Sequence, residues 1–169
     1  MTLAHADTIA GLVKGLAVLE SFDTERQRLN ATQAAQRAGL TRAAARRHLL
    51  TLAHLGYLET DGSFFWLGAR ALRLAGAYLA SSRLPRVIQP ALNRLAAATQ
   101  DVYSAVVLDG DEVVIIARSA GLGAAGTRLL AYGMHLGARM PAHATSTGRV
   151  LLAALPDAVL AAWLARHEA

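Results

Sequence analysis

Residues 31–57 read ATQAAQRAGLTRAAARRHLLTLAHLGY, and the fold turns on how this stretch divides. Thr32 to Ala38 predicts a short helix capped by Asn30 or Thr32. Gly39 closes it, because glycine tolerates the left-handed conformation at a helix end. Thr41 caps a longer helix that runs to about His54. Two helices joined by a Gly-Leu-Thr turn need glycine at the turn, a small residue at the crossing and a small or apolar residue inside the second helix. Ala35, Gly39 and Ala45 supply these at helix-turn-helix spacing. At about 100° per residue, Ala45, Leu49 and Leu52 share one face of the second helix. Ala43 and Arg47 point the other way, with Arg42 and Arg46 on the flanks.

Upstream, residues 1–7 read as a tail. From Thr8 the apolar positions Leu12, Leu16, Leu19 and Phe22 recur at three- and four-residue steps, which predicts a helix with that face buried. Downstream, Tyr57 to Thr60 and Ser63 to Leu67 flank Asp61-Gly62, a hairpin signal in which both turn residues take positive φ. The expected register sets Leu58 opposite Phe65, with Leu67 on the same inward side. A helix, a helix-turn-helix and a two-strand wing in this order make a winged helix. The helix after Thr41 then becomes the element that enters a DNA major groove. Arg42, Arg46 and Arg47 are the candidate contacts to phosphate or guanine, and Ala43 allows close approach. Thr32, Gln33, Thr41 and Ser63 are the candidates for positioning on the backbone. The wing tip carries no Lys or Arg, so its phosphate contacts rest on Ser63 and backbone N–H groups. A solvated arginine face on an ordinary three-helix core is the alternative reading of the same residues.

Charge by itself fits both readings, and the hairpin directly after the helix is what favours the first. The chain of 169 residues has 17 Lys+Arg against 12 Asp+Glu, a net +5. Residues 1–86 contain 11 basic and 6 acidic side chains, residues 87–169 six of each, so the whole excess lies in the first half. A local positive field attracts polyanions, nucleic acid above all. All but Lys14 of the basic residues are arginine, which suits planar bidentate contacts.

After the wing, residues 69–81 predict a helix that Pro85 ends. Another follows at about 87–99, with Pro90 in its first turn. Two β-branched runs, 102–108 and 113–118, form a hairpin through Asp109-Gly110-Asp111. Residues 127–140 read ambiguously. Residues 145–154 predict a helix opening on Thr145, Ser146 and Thr147, where N–H groups and hydroxyls converge and a carboxylate is favoured; ordinary N-capping explains the same pattern. His143 and Arg149 stand nearby. Pro156-Asp157 starts a last helix to about Arg166.

The sequence VKGLAVLESF, then LTRAAARRHLLTLAHLGYLETDGSFFWL, LDGDEVVIIARS and PAHATSTGRVLLAAL resembles the IclR family of bacterial transcription regulators. TRAAARRHLLTL is most similar to the branch of protocatechuate and 4-hydroxybenzoate regulators. The resemblance covers about residues 10–160. It implies an α+β chain: a winged helix-turn-helix over 9–68, a linking helix over 69–84 and a GAF-like α/β effector-binding domain over 85–169. That domain is expected to be truncated, since the family continues beyond GRVLLAAL. The usual Thr-Pro after the wing is Gly68-Ala69 here. The resemblance also implies homodimers or tetramers on palindromic double-stranded operator DNA, and small aromatic acids as effectors. It places the effector against the helix start at 145–147, which selects Ser146 and Thr147.

Other chemistries fare poorly. The chain has no cysteine, so disulfides, thiolate metal sites and cysteine nucleophiles are excluded. Its six histidines include no HxxxH pair, and no metal or cofactor is expected. Carboxylates are few and fall mostly in turns, leaving catalysis without an acid–base pair. Gly121 to Gly126 matches GxGxxG, but no clean helix follows and no acidic residue lies about 20 positions on, so a dinucleotide enzyme is disfavoured. No membrane-spanning run or secretory signal is apparent, which fits a cytoplasmic protein. A ligand-binding or oligomerisation fragment without a DNA role is the remaining rival.

Overall fold

A computed structural model describes residues 7–23, 25–119 and 134–167. It divides into two compact units, Met1–Tyr78 and Leu79–Ala169.

The first unit holds α1 (Ala10–Leu19), α2 (Ala31–Arg37), α3 (Arg42–His54), β1 (Leu58–Thr60) and β2 (Phe65–Leu67). Asn30 is the cap of α2. Its side chain accepts from the N–H groups of Thr32 and Gln33 while the Gln33 carboxamide accepts from its own backbone N–H, a closed capping box. Gly39 takes φ 62°, and the Leu40 N–H returns to the Ala35 carbonyl at 2.9 Å. Val18, Phe22, Leu29, Ala34, Leu49, Leu58 and Phe65 form one core that joins all three helices to the hairpin.

Two expectations change here. The leucine stripe of α1 splits: Leu12 is 60% and Leu16 45% exposed, whereas Leu19 is half-buried against the core, Phe22 is buried as expected, and Val18 is buried beside it. Gly15 lies on the inward side, with His48 of α3 only 3.8 Å from where its Cβ would stand. The inward face of α1 is thus rotated by about one residue step from Leu12 and Leu16.

The hairpin register also differs. Leu58 pairs with Leu67 and Thr60 with Phe65, leaving a four-residue tip, Asp61 to Phe64. Asp61 Oδ1 accepts from the N–H groups of Ser63 and Phe64, and Thr60 Oγ1 links the Gly62 N–H to the Phe64 carbonyl. These side-chain bonds support a longer loop in which Gly62, at φ 95°, is the only tip residue with positive φ. Leu58 and Phe65 are buried as expected, whereas Leu67 is exposed.

Helix α4 (Leu72–Ser81) follows a short 3-10 turn, and α5 (Arg83–Thr99) restarts after one extended residue, Ser82. Pro85 sits in the first turn of α5, where its missing N–H costs little, and Pro90 lies inside the helix. The first proline therefore begins a helix rather than ending one. The second unit continues with β3 (Ser104–Asp109), β4 (Glu112–Arg118) and β5 (Arg139–Pro141), an antiparallel sheet in that order with an irregularity at Ala105/Val106. Adjacent Ile115 and Ile116 are both buried, so both faces of β4 are covered. Helices α6 (Ser146–Ala153) and α7 (Asp157–Ala165) complete the unit, and Val113, Ala142, Leu152 and Trp163 form its core. The 121–126 glycine motif and residues 127–133 lie outside the described residues. No helix among the described residues is long and apolar enough to cross a membrane.

Gly148 carries the tightest approach. A Cβ there would stand 2.2 Å from the Ala142 carbonyl oxygen, which is backbone and has no rotamer to yield. Gly148→Ala is expected to destabilise the second unit by about 3 kcal/mol in urea denaturation. Asn30→Ala, which opens the capping box, is expected to cost about 1 kcal/mol in the first.

Candidate nucleic-acid interface and the α6 helix start

Burial of Ala45 and Leu49 sets the rotation of α3. Arg42, Ala43, Arg46 and Arg47 are thereby exposed. None of the three guanidinium groups bonds or ion-pairs with another described residue. Arg28 and Arg37 of the same unit differ, since they pair with Asp61 and Asp23. A groove of about 330 Å³ runs between α3, the start of α2 and the wing. Arg42 and Arg46 line one side, Thr32 and Asn30 another, and Ser63 the third. Two unpaired cations, a free hydroxyl and a short wing thus converge on one concave surface.

The positioning candidates are unequally free. Thr41 caps α3, its Oγ1 accepting from the Ala44 N–H at 3.3 Å. The Gln33 carboxamide oxygen is committed to the α2 cap. Thr32 and Ser63 are exposed on the groove. Arg47 and Ala43 stand on the outer face of α3, away from the groove lining. The single charge of the wing tip is Asp61. Its carboxyl is held below the ordinary 3.8, chiefly by the Phe64 and Ser63 N–H groups, with Arg28 adding to them. Its contribution to wing order is therefore present above that value and lost as pH falls through the depressed one. The pairing of Arg28 with Asp61 was not legible in the sequence, because the two stand 33 residues apart and no local pattern links them.

In the second unit Thr145 caps α6, its Oγ1 accepting from the Gly148 N–H at 3.1 Å. Ser146 and Thr147, in the first turn, are exposed and their hydroxyls engage no described residue. Arg149 does not face them: its Nε donates to the His143 carbonyl at 2.9 Å. Among the described residues no cluster of His, Asp or Glu is disposed to hold a metal.

The first unit is a winged helix-turn-helix, and it is followed by an α/β unit. Residues 11–62 match the IclR helix-turn-helix domain, and residues 76–169 match the bacterial transcriptional regulator IclR C-terminal domain. The chain belongs to the IclR family. It is 52% identical over 165 residues to the Pca operon regulatory protein of Acinetobacter baylyi, covering 98% of this chain and 59% of that protein. To the p-hydroxybenzoate hydroxylase transcriptional activator of the same organism it is 54% identical over 161 residues, 95% of this chain and 59% of the relative. The chain thus spans under two thirds of the length of these relatives. Among solved structures, an IclR family transcriptional regulator from Brucella abortus superimposes with a TM-score of 0.81 at 25% identity, over 96% of this chain and 60% of that one. An IclR homologue from Microbacterium hydrocarbonoxydans, crystallised with 4-hydroxybenzoate, gives 0.65 at 26% identity over 92% and 63%.

Capping and ligand roles at the α6 start separate by stability. Thr145→Ala is expected to cost about 1 kcal/mol in chemical denaturation. Ser146→Ala and Thr147→Ala are expected to stay within about 0.5 kcal/mol of the parent. A large loss at Ser146 or Thr147 would assign those hydroxyls to the fold.

Proposed function

We propose that the chain binds double-stranded operator DNA through its first unit and regulates genes of aromatic-compound catabolism in response to a small aromatic acid. The observation that carries the DNA role is the set of three exposed arginines, without a partner among the described residues, on the flanks and outward side of a helix whose Ala45 and Leu49 are buried. A buried ion pair at any of them would have removed the charge. Instead, Arg42 and Arg46 face the groove beside Ser63 and Thr32, which suits the path of a phosphate backbone. Arg47, at the most outward angle, is placed for a base edge, with Ala43 beside it small enough to allow contact. Thr41 and Gln33 support this surface mainly by ordering the two helix starts, leaving backbone N–H groups there for phosphate.

The effector class is supported by the two relatives above half identity, whose names tie them to the pca operon and to p-hydroxybenzoate hydroxylase. The 4-hydroxybenzoate complex of the Microbacterium homologue supports it as well. Ser146 and Thr147 are the proposed effector-facing hydroxyls of this chain. Residues 69–84 act in this reading as the link between the DNA-binding domain, 9–68, and the effector domain, 85–169. A homodimer is supported by α1, where Ile9, Leu12, Val13 and Leu16 form an exposed apolar stripe that a second copy would cover. The protein acts in the cytoplasm, on chromosomal DNA, and turns over no substrate.

Gel shifts with a duplex spanning the promoter of the neighbouring genes test the reading. Arg47→Ala is expected to weaken binding by about tenfold. Arg42→Ala should lower the slope of log affinity against log salt by about 0.9. Unchanged shifts for both variants would remove α3 from the interface. Adding 4-hydroxybenzoate should change the shift or raise the melting temperature; a thermal response without any DNA binding would favour a ligand-binding fragment.

A further inference from the structure

The wing presents an electrostatic difficulty. Its tip, Asp61 to Phe64, contains one charged residue and that residue is acidic. Ser63, two positions on, lines the same groove as Arg42 and Arg46. A carboxylate this close to the phosphate path lies well inside the Debye length of about 10 Å at 0.1 M salt, so unneutralised it would repel the backbone the wing is to meet.

Arg28 answers that charge. Its Nη2 lies 2.7 Å from Asp61 Oδ2, and its Cζ stands 4.3 Å from the centre of the Trp66 ring. Trp66 is fixed in turn by its indole N–H, which donates to Glu59 Oε2 at 3.0 Å across the hairpin. The start of the arginine side chain is fixed as well. Its neighbour Leu29 exchanges both backbone bonds with Phe65 of β2, at 3.0 and 2.9 Å. The guanidinium is therefore stacked on one wing strand and ion-paired to the tip. It belongs to neither the recognition helix nor the groove lining.

We propose that Arg28 is a positioning residue for DNA binding: lying across Trp66, it holds the wing in place and cancels the charge of Asp61, without itself touching DNA. This rests on the DNA-binding reading above. An exposed ion pair is a weak contributor to stability on its own, and here its value lies in where the charge is cancelled. The planar guanidinium suits both tasks at once, stacking by its face and pairing by its edge.

A double-mutant cycle on the full chain, by fluorescence anisotropy with the labelled promoter duplex, tests this. Asp61→Asn keeps Oδ1, and with it the two tip N–H bonds, while removing the charge. Arg28→Met keeps the aliphatic stem over Trp66. Arg28→Met alone should weaken binding by about fivefold or more, and Asp61→Asn alone by no more than about twofold. The combined variant should return to within about twofold of Asp61→Asn, because the charge to be cancelled is gone. In DNA-free protein Arg28→Met should shift the Trp66 emission, with Trp163 of the other unit contributing equally to both proteins. Unchanged binding by Arg28→Met overturns the proposal. A combined variant as weak as Arg28→Met also overturns it, and makes Arg28 a direct phosphate contact. Failure of the wild type to bind any duplex sinks the DNA-binding reading itself, and the proposal with it.

Discussion

The close packing of α2 on α3 is the constraint on which the rest of the first unit depends. Ala34, Ala35 and Ala45 are buried where the two helices meet, and the Leu40 N–H closes the turn onto Ala35. No large side chain fits at such an approach, and Gly39 alone of the turn residues takes the left-handed conformation. Once Ala45 and Leu49 are committed inward, helical geometry turns Arg47 outward and leaves Arg42 and Arg46 on the flanks, where both are exposed. The free charge on the surface is thus a consequence of small residues in the core.

The arginines divide by environment. Arg28 and Arg37 spend their charge within the unit, on Asp61 and Asp23, the first tying the wing tip to the segment before α2 and the second tying α2 to the segment after α1. Those on α3 pair with no carboxylate among the described residues and keep theirs. In the second unit Arg139 reaches both Glu112 and Asp109 and brackets the hairpin turn, with its pKa raised chiefly by the Glu112 hydrogen bond. That pairing serves the fold of its own unit, whereas the guanidinium groups of α3 stay exposed. The same economy of space recurs there at Gly148, whose missing side chain lets α6 start directly against Ala142.

Much of this was legible from residue type and spacing. The α2–turn–α3 segment, the hairpin after it and the α6 cap follow from local rules: a glycine at a left-handed position, hydroxyl or amide caps, a three-to-four step of apolar residues. Misreadings occurred where two local signals competed. Around Asp61-Gly62 a two-residue turn was expected, but the carboxylate and the Thr60 hydroxyl bind the tip N–H groups and favour four residues. At Pro85 a breaker was expected, but a proline in the first turn begins a helix as readily as it ends one.

By itself the sequence determined the caps of α2, α3 and α6, the turn between α2 and α3, the outward angle of Arg47 and, through its motifs, the family. Those features are set within one or two turns of chain, where periodicity and capping act. Tertiary structure alone decided which face of α1 is inward, seating Val18 in the core and leaving Leu12 and Leu16 exposed. It also decided that Arg28 meets Asp61, 33 residues away, over the face of Trp66. Contacts of that kind depend on how separate elements are brought together, and no local pattern encodes the distance between them.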